Sequence, residues 1–186
     1  KGTANNLQDG FSSIAVSGQR LFTMVRRSIG GTYQEVCVAL DTETGVELWS
    51  RPLGPATYDG GGNEGAPGNT GGDGPRSTPT VNGNRVYVFT SWLVLACLDA
   101  EDGHVVWSVD LMAAPYKASV ITWQNAASPI VRDGLVIVNG NVPSKRLMAF
   151  NAETGALVWS GQDDKMTHST PVKAELFGVP PVIFYA

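Results

Sequence analysis

Short apolar runs broken by turns rich in Gly, Asn and Asp fill the chain from Phe11 onward, the layout of β-strands joined by hairpins. Phe11 to Val25 reads as two β-type runs around a Ser17-Gly18 turn. Ser28 to Gln34 reads as a loop, Glu35 to Leu40 as a third strand, and Val46 to Ser50 as a fourth. A second set follows in Ser77–Val81, Arg85–Thr90, Val94–Asp99 and Val105–Asp110, and a third in Ala127–Val131, Leu135–Asn139, Arg146–Asn151 and Ala156–Ser160. Ser169–Leu176 and Pro181–Ala186 begin a fourth set, whose last two strands are missing.

A sheet wetted on one face alternates apolar and polar residues, and VLACL, LVIV and PVIFYA do not alternate. These strands are therefore predicted to be buried on both faces although hairpin spacing makes them antiparallel. Four-stranded antiparallel sheets of that kind, repeated in tandem, describe the radial blades of a β-propeller. The all-β reading divides the chain into blades over residues 11–51, 76–110 and 127–160 and a half blade over residues 168–186. A β-sandwich is the competitor, but it does not call for what the turns repeat.

The repeat is ALDTETGVELW from Ala39 to Trp49, CLDAEDGHVVW from Cys97 to Trp107, and AFNAETGALVW from Ala149 to Trp159. Asp41, Asp99 and Asn151 are 58 and then 52 residues apart, a period of blade size. In each copy the Asp or Asn oxygen can accept backbone N–H groups while Gly45, Gly103 or Gly155 takes a positive φ. Trp49, Trp107 and Trp159 then offer a large flat apolar face to a neighbouring blade, with the glycine leaving room for close approach. All twelve positions are predicted to be structural.

Composition narrows the function. Charged residues are 16% of the 186, against a typical quarter, and the net charge of −4 leaves no electrostatic footprint for nucleic acid. Arg26-Arg27 and Lys145-Arg146 read as solvated loop charges. No apolar run approaches the roughly 20 residues that span a bilayer. Cys37 and Cys97 sit inside strand-like runs and read as buried thiols acting as small hydrophobes.

The pattern A-x-D-x-x-T-G-x-x-x-W resembles the tryptophan-docking motif of the pyrroloquinoline-quinone (PQQ) enzyme repeat. That repeat occurs in quinoprotein alcohol dehydrogenases and in non-enzymatic relatives such as the lipoprotein of the outer-membrane β-barrel assembly machine. The segments GPRSTPTVNGNRVYVF and AASPIVRDGLVIVNG are similar to secreted propellers of the same kind, and the likeness runs from about Gly10 to Ala186. Cys97, Asp102 and Asn151 depart from the usual Ala, Thr and Asp, changes that a packing motif tolerates. The resemblance implies an eight-bladed ring, of which this chain supplies about three and a half blades. It also implies a bacterial periplasmic or secreted location. The chain then reads as a fragment whose ring is completed by remaining blades of a longer chain or by a second copy.

Chemistry in a propeller sits at the mouth of its central channel. Aligning the blades sets Ser12, Ser77, Ala127 and Ser169 at equivalent positions, and the residues just upstream make Arg76, Asn125 and His168, with nearby Trp123 and Lys165, candidates for a cofactor or ligand site. Arg76 suits carboxylates such as those of PQQ, Trp123 a flat floor, and His168 a base or ligand. A loop-ordering arginine, a merely hydrogen-bonded histidine and ordinary loop packing explain the same residues. His104, in the second repeat turn, reads as surface.

The Gly-rich insertion from Gly54 to Gly74 carries Asp59, Glu64 and Asp73, oxygen ligands of the type calcium takes, without the spacing of an EF-hand. It reads as a loop or lid, and no metal site is assigned. No vicinal cysteine pair, C-x-x-C-H haem site or nucleophile motif is present. The reading that follows is a binding or assembly scaffold with no catalysis or cofactor of its own, taking a protein or small molecule at the channel mouth. The alternative is a fragment of a PQQ- and calcium-dependent alcohol or sugar dehydrogenase.

Overall fold

The computed structural model describes residues 10–58, 74–178 and 181–185. Strands β1 (Ala15–Ser17), β2 (Arg20–Ile29), β3 (Thr32–Asp41) and β4 (Glu47–Pro55) form one antiparallel sheet in chain order. The sheet of β5 (Thr80–Asn82), β6 (Arg85–Phe89), β7 (Val94–Asp99) and β8 (Val105–Asp110) repeats it. So does that of β9 (Ile130–Arg132), β10 (Leu135–Asn139), β11 (Leu147–Asn151) and β12 (Leu157–Gly161). β13 (Val172–Lys173) and β14 (Val182–Ile183) make a two-stranded sheet. The architecture is all-β, a partial propeller of four-stranded antiparallel blades, and no described helix is long and apolar enough to cross a membrane.

Ser28 to Gln34 is not a loop. β2 runs on to Ile29 and β3 starts at Thr32, joined by Gly30 and Gly31 at φ +59° and +83°. Two consecutive positive φ values make the hairpin turn whose twist matches its strands, so both strands extend to the rim. The same extension corrects the reading of Arg26 and Arg27 as solvated loop charges. Arg26 is buried in β2 with its guanidinium over the Tyr33 ring, and Arg27 pairs with Glu47 at 2.6 Å.

Burial on both faces follows from how the sheets stack. On β7, Ala96 and Leu98 face the first blade, in a cluster with Phe22, Met24, Cys37, Ala39 and Trp49. Leu95 and Cys97 face the third, in a cluster with Val136, Val138, Met148 and Phe150. A smaller cluster of Ile130, Ile137 and Ala149 meets Val182 and Phe184. PVIFYA departs from the reading: Val182 and Phe184 are half-buried while Ile183 and Tyr185 are exposed, because only one of their faces meets a neighbouring sheet.

The repeat turns are built by their side chains. Asp41 Oδ1 accepts from Thr44 N at 2.7 Å, Thr44 Oγ1 at 2.6 Å and Glu43 N at 3.1 Å, with Gly45 at φ +69°. Those hydrogen bonds hold the Asp41 carboxyl below its ordinary pKa. Asn151 Oδ1 makes the same three bonds to Glu153 and Thr154, since only the acceptor oxygen is needed. In the second copy Asp99 Oδ1 still accepts from Glu101 N at 2.8 Å, Asp102 stands where Thr44 does and accepts from His104 N at 2.9 Å, and His104 is exposed.

The first and last residues of each repeat face one another: Ala39 pairs with Trp49, Cys97 with Trp107, and Ala149 with Trp159. The strand beneath adds Phe22 opposite Ala39 and Tyr87 opposite Cys97. A small residue in the middle lets two large rings meet over it, Phe22 to Trp49 at 5.8 Å and Tyr87 to Trp107 at 6.1 Å. In all three blades the register shifts right after that small residue, at Ala39/Leu40, Cys97/Leu98 and Ala149/Phe150. A bulge there increases the local twist and re-aims the indole.

It aims it at the next blade. Trp49 Nε1–H donates to the Ala100 carbonyl at 3.1 Å, and Trp107 Nε1–H to that of Ala152 at 2.9 Å. A Cβ on Gly103 would lie 2.5 Å from the Trp49 ring, and one on Gly155 2.7 Å from that of Trp107. Trp159 has no such turn over it among the described residues and is 41% exposed.

The inner strands are tied as well. Ser13 N–H donates to Thr78 Oγ1, Thr78 N–H to Ser128 Oγ, and Ser128 N–H to Thr170 Oγ1, all within 2.8–3.0 Å. This chain of bonds makes Ser13, Thr78, Ser128 and Thr170 equivalent, and therefore also Ser12, Ser77, Ala127 and Ser169 before them.

Candidate functional site

The segments joining one blade to the next, with the hairpin turns inside the blades, meet at one end of the sheets. Of the five sequence candidates, Arg76, Trp123 and His168 lie in a row there. Trp123 is in the middle, 60% exposed, with its backbone at φ +65° and Gln124 after it at +56°. Arg76 donates to the Trp123 carbonyl at 3.3 Å, and its guanidinium lies 5.1 Å from the Tyr58 ring centre and 5.7 Å from that of Phe11. On the other side the His168 ring lies 6.3 Å from the Trp123 ring, and its Nε2–H donates to the Thr122 carbonyl at 3.0 Å. Two left-handed residues in succession cost strain, and this row of contacts holds the indole out at the rim.

Asn125 lies beneath, fully buried. Its amide donates to the carbonyls of Phe89 at 3.2 Å and Ala127 at 3.0 Å, and its oxygen accepts the Ala127 N–H at 3.0 Å. It fastens the loop to the second blade. Asp59, Glu64 and Asp73 lie outside the described residues.

Sequence reasoning missed a buried polar cluster next to this row. Glu35, in β3, is fully buried; it accepts from the Tyr58 hydroxyl at 2.8 Å and from the Ser91 N–H at 3.1 Å. Burial raises its pKa, while the bonds from Ser91 and Tyr58 and the nearby Arg76 charge oppose the rise. Burial and the Glu35 charge likewise push the Tyr58 hydroxyl far up. Arg26 sits opposite Glu35 across β2 and β3. The available signal was Gly30-Gly31: read as a two-residue turn, it sets Arg26 against Glu35 in the sequence itself.

At the other end of the blades, Asp99, Asp102 and His104 bring one ligand atom each within 4.8 Å of one another. Arg85 at 2.8 Å and Asn84 at 3.0 Å already hold Asp99, and the His104 ring, at 2.7 Å, holds Asp102.

The family model described as outer membrane protein assembly factor BamB matches residues 32–178. The chain belongs to that family. The assembly factor BamB of Moranella endobia is 25% identical over 159 residues, covering 86% of this chain and 35% of that protein. The dehydrogenase subunit of the quinone alcohol dehydrogenase of Gluconacetobacter polyoxogenes is 32% identical over 107 residues, 55% of this chain and 13% of that protein. The crystal structure of BamB from Moraxella catarrhalis has the same fold, with a TM-score of 0.55 at 21% identity over 86% of this chain and 39% of that one. This chain thus spans about a third of the assembly-factor relative.

The similarity to a quinone alcohol dehydrogenase subunit raises the question of a quinone. The described residues do not fit one. Both ends of the Asn125 amide are spent on backbone, and the His168 Nε2–H on the Thr122 carbonyl. Arg76 is held between two aromatic rings and a carbonyl.

Proposed function

We propose that this chain is part of a bacterial periplasmic or secreted propeller that acts as a non-catalytic scaffold. Its loop face would hold a protein partner in outer-membrane protein assembly, as the names of its relatives suggest for them. The observation that carries the reading is the state of the rim. Arg76, Asn125 and His168 are committed to the chain's own carbonyls, which leaves a stiff surface from which Phe11 and the Trp123 indole project. Exposed aromatics held rigidly beside an arginine are what protein interfaces use as anchors. The rest of the ring would come from further blades or a second copy.

The experiment is binding of the chain to purified outer-membrane assembly proteins, followed by biolayer interferometry. Trp123→Ala is expected to weaken binding by about tenfold or more, as truncation of an anchor does, with an unchanged far-UV circular dichroism spectrum. The 32% identity to a quinone alcohol dehydrogenase subunit supports a second reading, a PQQ- and calcium-dependent dehydrogenase. Adding PQQ and Ca²⁺ and following dye reduction with alcohols separates the two. An alcohol-dependent signal would overturn the scaffold reading.

A further inference from the structure

The strained pair Trp123-Gln124 is gripped from both sides. Arg76 donates to the carbonyl of Trp123, and the Asn125 N–H donates to the Ser91 carbonyl at 3.2 Å. Both grips lead back to one buried group. The Ser91 N–H donates to Glu35 Oε2 at 3.1 Å. The Arg76 guanidinium lies over the ring of Tyr58, whose hydroxyl donates to Glu35 Oε1 at 2.8 Å. Glu35 belongs to the first blade, while the loop it reaches joins the second blade to the third, and each of these blades has all four of its strands.

A carboxyl at a fully buried position carries a desolvation cost that an amide of the same shape would avoid. Glutamine could accept the bonds from Tyr58 and Ser91 equally well. What only the carboxylate adds is attraction to cations. Two face it: Arg76, from the segment joining the first two blades, and Arg26, opposite it on β2. Tyr58 from that same segment and Ser91 from the turn between β6 and β7 complete its surroundings. Ionisation therefore costs overall stability while it tightens the local hold on Arg76.

We propose that Glu35 is the positioning residue of the Trp123 loop. Its carboxylate holds Arg76 against the Trp123 carbonyl and fixes the Ser91 turn under Asn125, so the charge on a first-blade residue decides how firmly the indole is presented at the rim. Two successive left-handed residues need such a hold, since they would relax if either neighbour let go. The effect on the loop stands by itself; an effect on a partner's affinity rests on the scaffold reading.

The test labels the intact chain with 5-fluorotryptophan and follows ¹⁹F NMR across a pH titration, the Trp123 signal being identified among five by its loss in Trp123→Phe. With Glu35 ionised, Glu35→Gln is expected to move or broaden the Trp123 signal and to leave those of Trp49 and Trp107 in place. Burial raises the Glu35 pKa, and the difference between wild type and variant should vanish as pH falls through it. His168 is the other ionisable group that touches the indole, so the difference should persist in a His168→Gln background. Arg76→Gln should remove the same pH-dependent step and make Glu35→Gln silent when the two are combined, which carries the test even if Glu35→Gln alone folds poorly. Affinity for the outer-membrane assembly proteins should fall about two- to thirtyfold in Glu35→Gln, with an unchanged far-UV circular dichroism spectrum. A Trp123 signal indifferent to Glu35→Gln, or a difference that disappears in the His168→Gln background, would overturn the proposal. A signal that responds as expected in a chain that binds no assembly protein would uphold the positioning role and overturn the scaffold reading alone.

Discussion

Replacing Gly103 by alanine separates the two reasons for a glycine in the repeat turn, because the first copy supplies an internal control. Gly45 and Gly103 have nearly the same backbone, φ +69° and +72°. A non-glycine residue in that region costs about 1–2 kcal/mol at either site. The surroundings differ. A Cβ at Gly45 meets nothing within 4 Å, whereas one at Gly103 lies 2.5 Å, 2.6 Å and 3.0 Å from Cε3, Cδ2 and Cζ3 of Trp49. The indole cannot easily yield, being 9% exposed, tied to the Ala100 carbonyl and backed by the Phe22 ring.

Overpacking of that kind costs about 1–3 kcal/mol, and loss of the indole hydrogen bond adds about 1 kcal/mol. Gly103→Ala is therefore expected to destabilise by about 3–6 kcal/mol and Gly45→Ala by about 1–2 kcal/mol. For a domain of this size the difference, about 2–4 kcal/mol, corresponds to roughly 4–16 °C in Tm. Urea unfolding followed by far-UV circular dichroism measures both variants under one protocol. Equal losses would show that the glycine answers only to the backbone, and would refute the idea that each indole is wedged against the next blade.

Glu35→Gln tests the buried carboxyl: folded Glu35 keeps its proton to higher pH than the unfolded chain, whose ordinary value is 4.5. Its stabilising contribution is complete below that value and is lost as pH rises through the folded pKa. The stability of the wild type minus that of the variant should fall with rising pH, and a pH-independent difference would contradict it. Ser128→Ala removes the acceptor of the Thr78 N–H at 2.8 Å and should cost about 1–3 kcal/mol in chemical denaturation. A loss near zero would mean that the inner-strand chain of bonds adds nothing to stability. Burial pushes the Cys97 thiol up to about 11 and Cys37 higher still, so both should resist a thiol-specific disulfide reagent in the native protein and react on unfolding. Fast native labelling would show that the clusters between the blades open.

How far the chain could be read ahead depended on whether a signal was local. Strands buried on both faces show in VLACL and LVIV, because each residue carries its own polarity, and the turn chemistry of Asp41 or Asn151 shows because every partner lies within three residues. Arg26 and Glu35 were not legible in the same way. Each is charged, and only pairing across the Gly30-Gly31 turn and coverage by Tyr58 and Ser91 put them inside. Asn125 illustrates the same limit: its place in the loop could be found by aligning blades, but its bonds to the Phe89 and Thr90 carbonyls of the second blade could not.

The sequence alone determined that the chain is a series of antiparallel sheets, where each sheet turns, and that an indole closes every repeat, since period and residue type are properties of the string. That the indoles face a neighbouring blade was also legible; only the tertiary structure decided which turn receives each one and how tightly. The bulge after each small residue rotates the tryptophan out of its own sheet, and the space that receives it belongs to a glycine more than fifty residues away for Trp49 and nearly as far for Trp107. Such a fit exists only once two sheets are stacked, because it depends on distances between atoms that share no stretch of chain.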